Sequence, residues 1–144
     1  RMKLFTIGYE GATMDEFLSA LRGAGVERVI DVRALPLSRR PGFSKTPLSN
    51  ALAEAGIDYV HLRALGTPAE GRAAARAGRQ RDLERIYAGQ LDLPEAMVAT
   101  EEMKRLAAER PSALLCFERD PAGCHRTLLW RWVAADAEVV DLVP

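Results

Sequence analysis

Ala113-Leu114-Leu115-Cys116-Phe117 runs directly into Glu118-Arg119-Asp120-Pro121-Ala122-Gly123-Cys124-His125-Arg126. Five successive apolar residues leave no polar side for water. The run therefore predicts a strand covered on both faces, as at the centre of a parallel sheet. The polar segment that follows, with its proline and glycine, ends the strand and leads into a helix over Arg126 to Ala135. Beyond it, Val139 to Val143 predicts a last strand.

The same alternation recurs upstream. Leu4 to Ile7 is short and β-prone, and Gly8 and Gly11 follow it. Thr13 and Glu16 have the spacing of a capping box, in which a hydroxyl and a carboxylate satisfy the free N–H groups of a new helix. Phe17, Leu18 and Leu21 form that helix's apolar face, and Gly23 and Gly25 stop it. Val29 to Val32 predicts a second strand, followed by an irregular loop over 33–45 with Pro36, Pro41 and Gly42. Thr46-Pro47 predicts the start of a helix carrying Leu48 and Leu52, which Gly56 ends before a third strand at Ile57 to Val60. Residues 66–80 are rich in Gly, Ala and Arg without an apolar period and predict a loop or frayed helix. A short helix is expected over Arg81 to Tyr87, and a firmer one over Pro94 to Glu109 with Met97, Met103 and Leu106 inward. Strands alternating with helices predict an α/β fold. One domain over 1–144 would carry a mostly parallel sheet of about five strands, flanked by helices on both faces.

Composition narrows the function classes. A chain of 144 residues, 48% hydrophobic and 28% charged, has the make-up of a globular domain rather than a disordered one. Twenty basic residues balance twenty acidic ones, so no whole-protein field draws in nucleic acid or membrane, and any anion preference must be local. No apolar run approaches the ~20 residues of a membrane helix. No secretory leader is expected, because the residues after Met2 already form a strand pattern. The two cysteines, Cys116 and Cys124, are therefore expected in a reducing, cytoplasmic compartment, where a disulfide between them is disfavoured although the intervening loop could bring them together.

In parallel α/β sheets, ligands bind beyond the carboxyl ends of the strands. Four such ends carry polar groups here. Tyr9 and Glu10 follow the first strand, Asp31 and Arg33 close the second, and His61 follows the third. The fourth delivers Cys116 and Glu118, then Cys124, His125 and Arg126. Clustering of these titratable groups on one rim predicts a shared site. Cys124, near a helix N-terminus and beside His125 and Arg126, is placed to ionise, whereas Cys116 at a strand end also suits a small core position. Arg126 and the helix N-terminus suit an anion, with a salt bridge to Asp31 or Glu118 as the plainer role for Arg126. Both histidines also suit packed, hydrogen-bonded positions, and Trp130 and Trp132 suit anchors for the last helix. Between Val32 and Ala53 there are four basic residues, Arg33, Arg39, Arg40 and Lys45, and no acid; with Phe43 among them the loop suits phosphate holding and base stacking.

The pattern Cys116-x-Glu118, a short loop, then Cys124-His125-Arg126 resembles the hallmark of the bacterial and archaeal family called domain of unknown function 488. Thr6-Ile7-Gly8-Tyr9-Glu10-Gly11, Asp31-Val32-Arg33 with Pro36, Ser38 and Gly42-Phe43, and Tyr59-Val60-His61-Leu62 with Leu65-Gly66 resemble its other blocks. The resemblance spans almost the whole chain except residues 71–80 and implies a fold and a site, but no activity. Asp31-x-Arg33 is also similar to rhodanese-like domains. However, the residue six after Cys116 is Ala122, so neither their loop nor a Cys-x5-Arg phosphatase loop is present.

Four readings follow. The leading one is an enzyme acting on a phosphate-bearing or nucleic-acid-related substrate. In it Arg126, Arg33 and Arg39 hold the anion with Tyr9, Phe43 and His61 around it, Glu118 or Asp31 serves as acid or base, and Cys124, His125 and Cys116 assist. A non-catalytic nucleotide or nucleic-acid binding module would use the same basic loop. A metal site from Cys116, Glu118, Cys124 and His125 has suitable ligand types, but its spacing is not a usual zinc pattern, so no metal and no cofactor is expected. A thiol-redox or sulfur-transfer role follows from Cys124.

Overall fold

Burial of all five residues from Ser112 to Cys116 organises the architecture around one strand. The structure is a computed structural model describing residues 2–144. Its strands are β1 (Lys3–Gly8), β2 (Arg28–Asp31), β3 (Asp58–His61), β4 (Ser112–Cys116) and β5 (Glu138–Leu142), all parallel in one sheet of order β3-β2-β4-β1-β5. β4 lies between β2 and β1, with Ile30 beside Leu114 and Ile7 beside Leu115, so both of its faces are denied water. The edge strands β3 and β5 are only partly buried.

Six helices cover the sheet: α1 (Met14–Gly23), α2 (Lys45–Glu54), α3 (Ala69–Arg76), α4 (Gln80–Leu91), α5 (Pro94–Glu109) and α6 (His125–Val133). Phe17 and Leu21 of α1, with Leu48 and Leu52 of α2, pack on Ile7, Val29 and Leu115. Leu83 and Tyr87 of α4, Met103 and Leu106 of α5 and Leu129 of α6 pack on Leu4, Ile30 and Leu114 from the opposite face. The chain moves from β1 to β2 and β3 in one direction, then returns to β4 in the gap and passes to β5 on the far edge. With right-handed crossovers, that reversal sends the loops after β1 and β4 to opposite faces, and the chain parts between them.

Local chemistry explains the element boundaries. At α1, the Thr13 hydroxyl accepts from Glu16 N at 3.1 Å while the Glu16 carboxylate accepts from Thr13 N at 2.9 Å, the reciprocal cap the sequence predicts. α2 begins at Lys45 rather than at Thr46-Pro47, with Ser44 at its N-cap position. The Ser44 hydroxyl makes no cap because it is bonded to Ser38, accepting from N and donating to O, which closes the preceding loop.

Three expectations are corrected. Part of residues 66–80 is a regular helix, α3. Its inward residues are Gly71 and Ala74, too small to register as an apolar stripe. A side chain at Gly71 would meet the Thr67 methyl, so the glycine lets α3 sit close to its neighbours. Met97 is 59% exposed, because the inward stripe of α5 runs through Ala96, Ala99, Thr100, Met103 and Leu106 and passes one position beside it. Trp132 is 44% exposed and rests against Tyr87 instead of anchoring α6 in the core.

One close approach ties the fold to the site. A Cβ at Gly8 would collide with the backbone carbonyl of Glu118, so the β1 and β4 exits touch there through backbone alone. The Glu10 N–H then donates to Phe117 O at 2.9 Å. Gly8→Ala is therefore expected to destabilise the protein by ~1–3 kcal/mol through overpacking. Urea unfolding checks this, and an unchanged midpoint would show that the two exits can separate freely.

Candidate functional site

The parting of the chain beyond β1, β2 and β4 forms a cleft of about 890 Å³. Tyr9 and Glu10 reach it from β1, and Arg33, Leu35, Leu37, Arg39 and Arg40 from the loop after β2. Arg72 and Arg76 of α3, Cys116 with Phe117 and Glu118 at the β4 exit, and His125 of α6 also line it. Leu35, Leu37 and Phe117 are exposed, so the mouth has apolar lips, while Cys116, 2% exposed, lies at the floor.

On the α1 and α2 side of the sheet, Asp31 and Arg33 form a closed ion pair. Asp31 is fully buried. It accepts from Arg33 Nε at 2.9 Å, Nη2 at 2.8 Å and N at 3.1 Å, and from the Tyr59 hydroxyl at 2.6 Å. The remaining Arg33 nitrogen, Nη1, donates to Tyr9 Oη at 3.2 Å and Phe43 O at 2.7 Å. Burial opposes the Arg33 charge, but the Asp31 hydrogen bonds and charge outweigh it and raise the pKa. Burial, and then the bond to Asp31, pushes the Tyr59 hydroxyl upward.

This cluster corrects several expected roles. Asp31 has no free face from which to act as acid or base, and Arg33, although it lines the cleft, spends its donors inside the protein. Phe43 is 1% exposed and stacks on Tyr9 with ring centres 4.7 Å apart, so it offers no face to a base. His61 donates from Nε2 to Arg33 O at 2.7 Å and does not line the cleft; because a carbonyl only accepts, that nitrogen carries the proton.

On the other face, Cys116 and Cys124 are joined as a disulfide, the pairing that the sequence allows but that a reducing compartment disfavours. The helix α6 starts immediately after Cys124 and carries Arg126 behind the sulfur pair. Arg126 is fully buried and absent from the cleft lining, a correction to its expected place on a cleft anion. Its Nη1 donates to Glu118 O at 2.7 Å and to Cys116 Sγ at 3.1 Å, while Nε and Nη2 have no partner among the described residues. Neither Asp31 nor Glu118 forms the expected salt bridge with it. Burial lowers its pKa, and the charges of Asp141, Glu118 and Asp120 counter this from a distance.

Glu118 lies with Oε2 3.5 Å from Cys116 Sγ. Burial raises its pKa, opposed by a backbone hydrogen bond and the charge of Arg126, which suits it to proton transfer nearer neutrality than an ordinary glutamate. His125 donates from Nε2 to Val32 O at 2.8 Å and meets Tyr87 edge to face. Burial pushes its pKa down to about 4, so it is neutral at physiological pH. Donor atoms of Cys116, Cys124 and His125 lie within 4.8 Å of one another. With the sulfurs bonded to each other, neither is a thiolate.

Of the residues singled out from sequence, Tyr9, Arg33, Arg39, Cys116, Glu118 and His125 meet at the cleft, with Cys124 directly behind Cys116. Arg72, Arg76 and Phe117 were not foreseen. An Arg-x3-Arg spacing within an alanine-rich stretch was the available signal, since residues four apart share one helix face.

The chain belongs to the family described as "Domain of unknown function DUF488", whose model matches residues 13–133. Neither a curated protein nor a solved structure matches it.

Two outcomes test this geometry. Asp31→Ala strands the Arg33 charge in the interior and is expected to cost ~3–5 kcal/mol in denaturant unfolding. For His125, a folded-state pKa below the unfolded one means the unfolded chain takes up the proton first. Its contribution is complete above ~6.5 and is lost as pH falls toward about 4. Unfolding midpoints measured through this window are expected to drop, and His125→Gln to flatten the drop.

Proposed function

We propose that the protein is an enzyme acting on a phosphate-bearing substrate, with a nucleotide or nucleic-acid fragment as the favoured class. One observation carries the reading: Arg39, Arg40, Arg72 and Arg76 surround a cleft at whose inner end Glu118 sits beside Cys116. The chain as a whole is neutral, so this concentration of charge is local. Four guanidinium groups against Glu10 and Glu118 leave the cleft net basic, since Arg33 is neutralised by Asp31. Among the described residues, Arg39 and Arg76 make no hydrogen bond or ion pair, and Arg72 uses Nη1 on Thr67 O. Guanidinium forks match phosphate oxygens bidentately, which an ammonium cannot do.

Leu35, Leu37 and the half-exposed ring of Phe117 give the mouth apolar faces, as a nucleobase requires. Glu118 is the acid–base group, because it sits at the inner end of the cleft beside Cys116 and burial raises its pKa toward the pH at which it would work. Even millimolar affinity requires ~4 kcal/mol. Charge-assisted hydrogen bonds, worth roughly 1.5–3 kcal/mol each, reach that with two or three arginines engaged.

Calorimetric titration with inorganic phosphate, nucleotides and short oligonucleotides tests the reading. Binding is expected at low salt, weakening as salt rises. An Arg72→Ala, Arg76→Ala double variant should lose about tenfold or more, roughly 1.4 kcal/mol or greater. Glu118→Gln should keep the affinity while lowering turnover of the bound ligand by ~10²–10⁴. Binding with no turnover would leave a nucleotide-binding module, and no binding to any of these ligands at low salt would remove the proposal.

A further inference from the structure

Arg126 is a buried cation without a counter-ion. It is fully excluded from solvent, and among the described residues no carboxylate pairs with it. Buried charges are ordinarily paired, because an isolated one bears a desolvation penalty that only an opposite charge in good geometry offsets. The nearest group able to become that charge is Cys116 Sγ, 3.1 Å from Nη1. While the sulfur is bonded to Cys124 it is neutral. Once the bond opens it can be a thiolate, and Arg126 is then paired.

We propose that Cys116 and Cys124 form a thiol–disulfide exchange centre, with Cys116 the sulfur attacked from the cleft, Arg126 the counter-charge of its thiolate, and a low-molecular-weight anionic thiol the exchange partner. Access supports the choice of sulfur, since Cys116 lines the cleft and Cys124 does not. The groups facing the pair are Arg126 and neutral His125 from α6, Asp141 from β5, Glu118 and Asp120 from the β4 exit, and Glu10 from the β1 exit. Asp141 is held by the Thr6 hydroxyl, and the Glu10 carboxylate accepts from Arg119 N, so Arg126 is the positive group in direct contact with the sulfur.

The exchange takes two steps. An incoming thiol loses its proton to Glu118 and attacks Cys116 Sγ. The Cys116–Cys124 bond breaks, its electron pair leaves on Cys124, and that sulfur takes the proton back from Glu118. A second thiolate attacks the partner's sulfur in the mixed disulfide, releasing the partner as its own disulfide and Cys116 as a thiolate facing Arg126. Two thiols are oxidised by two electrons, the protein disulfide is reduced by two, and one proton passes to solvent. The anionic character of the partner rests on the arginine-rimmed cleft proposed above; the exchange chemistry does not.

The experiment uses the full chain, reduced with dithiothreitol and freed of reductant without air. Thiolate absorbance and iodoacetamide alkylation are followed against pH, and the modified residue is identified by peptide mass spectrometry. Cys116 is expected to titrate at least about one unit below the ordinary thiol value of ~8.5. Arg126→Met should slow its alkylation near pH 6 by about tenfold or more, and Arg126→Lys should restore part of the rate. In a second arm, glutathione, mercaptoethanol and cysteamine open the oxidised pair. The anionic thiol should outpace the cationic one, and Arg72→Ala with Arg76→Ala should erase that order without changing the Cys116 titration. A Cys116 titrating at or above ~8.5 in the unaltered protein would overturn the proposal whatever the variants do. So would reduced protein that takes up one zinc per chain through both cysteines and His125. Equal rates for all three thiols would overturn the anionic partner and, with it, weaken the cleft reading, while leaving the exchange centre supported by the titration.

Discussion

β4 lies between β2 and β1, and most of what distinguishes this molecule follows from that position. A strand hydrogen-bonded on both sides and covered on both faces has no way to satisfy a polar side chain within its length, so Ser112–Cys116 keeps its chemistry to its ends. Inserting the fourth strand between the first two also sets the loops after β1 and β4 diverging, which opens the cleft. The Gly8 contact with the Glu118 backbone then fixes how far they diverge.

Two buried guanidinium groups flank this parting and have opposite circumstances. Arg33 has every donor group occupied, with Asp31, Tyr9 and Phe43 as partners, and acts as the clasp that holds the loop after β2 against the sheet. Among the described residues, two Arg126 nitrogens have no partner, and its third leans on a sulfur. A protein that needed only packing at that position would gain from an apolar side chain there, since replacing a poorly paired buried charge by a hydrophobic one is often neutral or stabilising. The contrast between the two arginines is one of pairing: Arg33 is fully engaged in holding its loop, and Arg126 has donors to spare.

Much of the fold was legible because its signals are local. The Leu114-Leu115 run, the Thr13–Glu16 cap and Pro94 at the start of α5 each act within a few residues of themselves. α3 escaped because alanine and glycine carry its inward face, and Met97 was misplaced because small residues beside it take the buried positions. For the site, the shared rim was readable from strand ends but the face was not. Asp31 pairs in register with Leu115, so Cys116 points to the opposite side of the sheet, and two half-clusters lie back to back across it. The inward turn of Arg126 depends on a sulfur ten residues earlier in the chain, a tertiary contact no spacing rule contains.

The small inward residues of α3 have a consequence for how the cleft behaves over time. A helix docked through Gly71 and Ala74 exposes little apolar surface when it lifts away, whereas α4, docked through Leu83 and Tyr87, exposes a great deal. Local opening free energies in proteins follow such differences in buried apolar area. The arginines it carries thus stand on a wall of the cleft that is held by close backbone approach more than by apolar side chains.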